Sequence, residues 1–86
     1  MKQFELGHLY YYTDPHHPTT GSYVYFIRIM SIDAFNYHLN YYNIGTAVAG
    51  DAVASRIDLD DVFNHPKSLT RELDKNEKAK ALLLGL

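Results

Sequence analysis

The side chains able to do chemistry in this 86-residue chain are eight tyrosines, five histidines, one short acidic run and one short basic run. Of the histidines, His16 and His17 are neighbours in the loop-like stretch DPHHPTTG. Adjacent imidazoles do not close on one metal in good geometry, so a site would have to recruit His8 or His38 across a sheet. Zinc wants about four ligands with a supporting second shell. The chain has no cysteine and no pair of histidines at metalloprotease spacing. The expectation is therefore no metal and no cofactor. His16 and His17 are read as loop residues, His38 as a surface strand position and His8 as a half-buried imidazole with a hydrogen-bond partner.

The acidic run Asp58, Asp60 and Asp61 is the next possibility, because clustered carboxylates can hold magnesium against a phosphate. Catalysis there would need further acids or a lysine around it. Instead Leu59, Val62 and Phe63 interrupt the run as core anchors, which reads as a polar turn after a last strand. There is no G-x-S-x-G elbow, no cysteine nucleophile and no glycine-rich phosphate loop. A chain this short also leaves little core volume for a small-molecule cavity of the usual few hundred Å3. The expectation is a protein without catalytic residues.

The cations Arg71, Lys75 and Lys78 fall at i, i+4 and i+7 and would share a face of a continuous helix. They could touch nucleic-acid phosphates. Glu72, Asp74 and Glu77 interleave with them, which is the pattern of a solvated helix. Net charge is −2, and residues 1–46 hold only Lys2 and Arg28 as cations. A strongly basic groove is absent, so nucleic acid is the lesser alternative, to be bound through sheet tyrosines and the basic helix face.

The tyrosines remain: Tyr10, Tyr11, Tyr12, Tyr23, Tyr25, Tyr37, Tyr41 and Tyr42. Consecutive tyrosines in strands must place rings on both faces of a sheet. Some of these rings therefore meet a helix, water or a partner. The stretch FNYHLNYYNIGT, residues 35–46, carries tyrosine, asparagine and histidine but no charge. Protein interfaces enrich tyrosine, exclude charge from their centre and use asparagine for adaptable hydrogen bonds. His38, Asn40 and Tyr42 are therefore the candidate partner-binding row, with Tyr11 and Tyr23 adjoining.

The elements that position these residues follow from periodicity. Residues 3–13 alternate and read as a strand, with Gly7 a bulge or kink. Residues 22–33 are β-branched and aromatic, apolar on both faces at their start, and read as a central strand covered on both sides. Asp33 to Asn36 reads as a hairpin turn, with Asn36 able to take a left-handed conformation. Residues 37–48 form the return strand, in which a phase change at Tyr41-Tyr42 suggests a bulge. Ala49-Gly50-Asp51 reads as a second turn, 52–59 as a fourth strand, and 61–64 as a short fifth. After His65-Pro66 the composition turns to helix formers. A helix starts near Pro66, breaks or restarts at the Asp74-x-x-Glu77 capping box, and stops at Gly85.

The sum is one domain of mostly β, α+β class: residues 1–64 a small antiparallel meander in a partly open SH3-like barrel of four or five strands, and residues 65–86 a C-terminal helical segment. The absence of cysteine fits the cytosol. The N-terminal MKQFELGH lacks the apolar run of a signal peptide, and no apolar stretch is long enough for a bilayer. The expected function is contact with another protein or with a second copy of the chain. A phage-type inhibitor or accessory protein that occludes a partner's surface fits that description.

Overall fold

The computed structural model describes residues 1–16 and 23–86. The elements run in the order β1 (Leu9–Thr13), β2 (Val24–Ile32), β3 (Asn36–Asn43), β4 (Val48–Ser55), α1 (Arg56–Asn64), β5 (Arg71–Glu72) and α2 (Lys75–Leu83). The strands form one antiparallel sheet in the order β4-β3-β2-β1-β5. The class is α+β, mostly β, with a helix near the C-terminal end. The sheet does not close into a barrel: β4 and β5 lie at opposite edges.

Both faces of the sheet carry a core, which explains why its central strand is apolar on both sides. On one face, Tyr10, Ile27, Ile29, Tyr37 and Leu39 pack with Phe4, and with Leu59 and Phe63 from α1. Leu59 and Phe63 are four residues apart and so share one side of that helix. Phe4 makes edge-to-face contacts with Tyr10 and Tyr37, with centroids 4.8 and 5.4 Å apart, and a tilted contact with Phe63 at 4.5 Å. Offset aromatic pairs of this kind stabilise beyond their buried area. On the opposite face Leu9 and Phe26 pack with Leu73, with Ala81 of α2 and with Leu86. These are called the α1 face and the α2 face below.

Several expected boundaries move. Residues 3–8 are not strand: Gly7 turns the chain at φ 79°, and its N–H donates to the Ile29 carbonyl at 2.7 Å. The β2–β3 turn is where expected, held by the Asp33 carboxylate accepting from the N–H groups of Phe35 and Asn36 at 2.8 Å each. Asn36 is not left-handed; the non-glycine residue with positive φ among those described is Ala47, at 58°. Ala47 belongs to the β3–β4 turn at 44–47, where the Asn43 side chain accepts from Gly45 and Thr46 at 2.9 and 3.1 Å. Ala49-Gly50-Asp51, expected as that turn, is instead inside β4.

The bulge is also displaced. Between β2 and β3 the register slips from Ile29 to Ser31, leaving Met30 as the extra residue opposite His38. The pairing of β3 with β4 is regular through Tyr41 and Tyr42. Residues 56–64, expected as strand and turn, form α1, and its acids include Asp60, which is buried and accepts the Tyr37 hydroxyl hydrogen bond. In the 65–86 segment the part expected as helix before residue 74 instead contains strand β5, and the helix α2 begins after Asp74. Asp74 does cap α2 as a reciprocal capping box with Glu77.

Candidate functional site

Cross-strand pairing sorts the expected binding residues by face, because directly opposed residues in an antiparallel ladder project to the same side. On the α2 face, one row runs Tyr11, Phe26, Tyr42, Ala49. A second runs Leu9, Arg28, Asn40, Asp51. A third places Ser31 and the bulged Met30 opposite His38, which opposes Val53. The structure thus brings His38, Asn40, Tyr42 and Tyr11 onto one face. It does not bring Tyr23 there: that ring lines a cavity on the α1 face.

The α2 face is covered unevenly. Helix α2 and Leu86 lie over β1 and β2, so Tyr11 and Tyr42 pack against the Leu9–Phe26 core and are half-buried. Tyr11 also sits under the Arg71 guanidinium, 5.2 Å from ring centroid to carbon. The Arg28 guanidinium donates to the Leu86 main-chain oxygen at 2.8 Å, which ties the end of the chain to the sheet. Beyond that line, over β3 and β4, nothing among the described residues covers the sheet. His38 and Asn40 are half-buried there, and Met30, Ser31, Ala49, Asp51 and Val53 are exposed, Val53 by 61%. His38 Nε2 lies 2.8 Å from Asp33 Oδ2, which fixes the imidazole at the turn end of the surface. That hydrogen bond, with the two turn N–H groups, holds the Asp33 carboxyl down at about 2.

Strand β4 forms the edge of this surface. Its sequence VAGDAVAS has one charge, Asp51, and six of its eight residues are exposed. Its outer main-chain groups have no strand partner among the described residues. Edge strands are ordinarily short, charged, bulged or covered, because an open edge is a template for another strand. Beside this edge lie Phe35, 78% exposed in the β2–β3 turn, and Ile57, 80% exposed at the start of α1. The Arg56 N–H donates to the Phe35 carbonyl at 2.9 Å, so those two side chains belong to the same corner.

The basic trio does not form the expected helical stripe. Arg71 lies in β5, before the Asp74 cap, and only Lys75 and Lys78 are on α2. Arg71 Nη1 and Nη2 donate to Glu77 Oε1 and Oε2, at 2.6 and 2.8 Å. That bidentate pair with the Asp74 N–H holds Glu77 at about 2 and raises Arg71. Lys78 Nζ is 3.9 Å from Glu72. The histidines are dispersed as well. His8 Nδ1 contacts Glu72 and Glu5 at 2.7 and 3.1 Å, His16 packs beside His65, and His17 lies outside the described residues. Among the described residues no group of three ligand side chains is arranged to hold a metal.

Sequence reasoning missed the β4 edge, because it placed a turn at Ala49–Asp51. The signal was available in NIGT, whose asparagine, glycine and threonine are turn formers. No protein-family model, curated protein or solved structure matches the chain. No helix among the described residues is long and apolar enough to cross a membrane.

Proposed function

We propose that this protein is a non-enzymatic binding module that contacts another protein through the uncovered half of its α2 face and the edge of β4. The observation that carries the reading is the eight-residue edge strand with a single charge, flanked by exposed apolar side chains and an uncharged row of His38 and Asn40. Such an edge takes an added strand from a partner: main-chain hydrogen bonds supply affinity, and side chains alternating onto the open face supply selectivity. Met30, Val53 and Phe35 supply apolar surface of the kind that marks interaction sites. The mode of action is occlusion, as in a phage-type inhibitor or accessory protein that covers a partner's working surface. The cysteine-free composition supports a reducing, cytosolic setting.

The test uses a double variant, Ala49→Lys with Val53→Lys, both at exposed positions of β4 on the open face. Affinity isolation from the native host with the wild-type chain should retain a protein that the double variant loses, at an unchanged thermal midpoint. Sedimentation of the purified chain reports whether that protein is a second copy. Equal retention by wild type and variant overturns the assignment to this surface.

A further inference from the structure

The opposite face of the sheet carries a cavity of about 250 Å3. Four tyrosines, Tyr12, Tyr23, Tyr25 and Tyr41, line it, together with Asp14, whose Oδ1 accepts the His16 N–H at 2.8 Å. Its apolar lining comes from Ile27, Leu39, Ala52 and, in α1, Leu59. No lysine or arginine is among these residues. The rings stand across one another. Tyr12 and Tyr25 are 6.0 Å apart at 61°, and Tyr25 and Tyr41 are 5.6 Å apart at 86°. The first pair is inclined and the second near-perpendicular, so these rings are not stacked on one another.

One backbone feature serves this arrangement. Gly50 of β4 opposes Tyr41, and a Cβ at Gly50 would lie 2.7 Å from the Tyr41 hydroxyl and 2.9 Å from its Cζ. The absence of a side chain lets the Tyr41 ring lie down over β4 beside the cavity. Glycine in a strand interior often marks such a close approach.

Burial, the Asp14 and Asp58 carboxylates and the Tyr25 phenol together push the Tyr12 phenol up to about 12. Burial disfavours charge of either sign, but the nearby carboxylates that oppose a phenolate favour a cation. Aromatic faces add their own negative quadrupole, and cages of such faces are suited to alkylated ammonium groups. The volume is below the several hundred Å3 of drug-sized sites, which suits a head group.

We propose that this tyrosine-walled cavity binds a small organic cation carrying an alkylated ammonium head, with the methyl groups against the rings and the apolar floor and the charge toward Asp14. A primary ammonium would surrender a stronger hydration shell for few acceptors, so alkylation favours entry. The site is on the face away from the proposed protein contact, although Gly50 and Ala52 belong to the strand whose edge that contact uses.

The test is a titration of the full chain with choline chloride, followed by the tyrosine ring signals in NMR. Saturable shifts confined to Tyr12, Tyr23, Tyr25 and Tyr41 are expected. The uncharged carbon isostere 3,3-dimethylbutanol should bind at least about tenfold more weakly, since cation–π attraction and Asp14 act only on the charge. Free trimethyllysine supplies the same head on a side chain. Tighter binding of trimethyllysine than choline supports a modified protein as its source, and the reverse supports a free or lipid-borne choline group. Asp14→Asn and, separately, Gly50→Ala should each weaken choline binding several-fold in a chain whose remaining spectrum is unchanged. Equal binding of choline and its isostere, no saturable shift with either cation, or unaltered affinity in both variants would overturn the proposal.

Discussion

Replacing Tyr37 by phenylalanine tests how α1 is held to the sheet. Tyr37 is 1% exposed and donates its hydroxyl hydrogen to Asp60 of α1, itself 9% exposed. The Arg56 guanidinium carbon lies 5.8 Å from the same ring. Burial first, and then the Asp60 hydrogen bond and charge, raise the Tyr37 phenol, so it stays a donor across the ordinary pH range. Phenylalanine keeps the ring and its packing against Phe4 but leaves the carboxylate without this donor. A hydrogen bond to a charged group contributes roughly 1.5–3 kcal/mol, and an orphaned buried acceptor is the costly case. Taking about 2 kcal/mol, and about 4–8 °C per kcal/mol for a domain of this size, the midpoint should fall by roughly 8–16 °C. Asp60→Asn keeps an acceptor for the phenol and should cost less, about 1 kcal/mol. Because the two groups touch, the double variant should cost less than the sum of the singles. Thermal unfolding by circular dichroism reads all four proteins. A midpoint lowered by less than about 2 °C in Tyr37→Phe, or strict additivity in the double variant, refutes the bond as the tie between α1 and the sheet.

Three further outcomes follow from the same contacts. Asp33 and Glu77 are both held near 2 in the fold. Their contribution is therefore present above the ordinary carboxylate range and lost as pH falls from about 4 toward 2, and Asp33→Asn with Glu77→Gln should flatten stability over that window in acid titration. On the alkaline side Tyr12 keeps its proton to about 12, so folding loses stability between about pH 10 and 12 as the unfolded phenol ionises first; Tyr12→Phe should remove the latest phenolate absorbance step and lessen that loss. Tyr42→Ala should destabilise by about 2 kcal/mol or more because its ring packs on the α2-face core, while Asn40→Ala should leave the midpoint nearly unchanged.

The parts of the fold that were legible in sequence are those in which one local rule acted alone. Asp74 and Glu77 stand at capping-box spacing with nothing competing, and the box is there. Asp33 followed by Asn36 gave the hairpin turn. The alternation through residues 36–42 correctly put His38, Asn40 and Tyr42 on one face. The failures came where two physical causes produce the same pattern. Apolar residues on both sides of Tyr41-Tyr42 were read as a bulge, but they reflect a sheet buried by α1 on one face and α2 on the other. The alternation A-V-A-S-R-I-D-L crosses from β4 into α1 without a break, and Ser55 makes no side-chain cap to announce the helix. Tyr23 was expected to adjoin the His38 row, although the period of two groups it with Tyr25 and Ile27, with which it lines the cavity. The cavity was invisible because it needs Tyr12, Tyr25 and Tyr41 from separate strands and Leu59 from a helix that periodicity did not reveal.

Hydrogen–deuterium exchange on the chain bound to the protein it captures tests the central assignment most directly. The alternate amides of β4 between Val48 and Ser55 that face outward from the sheet should gain strong protection on binding, with the inward-facing amides of β4 and those of β3 gaining less because they already pair within the sheet. Protection that falls on α2 or around the Tyr12–Tyr25 cavity, with β4 exchanging as in the free chain, would contradict the account.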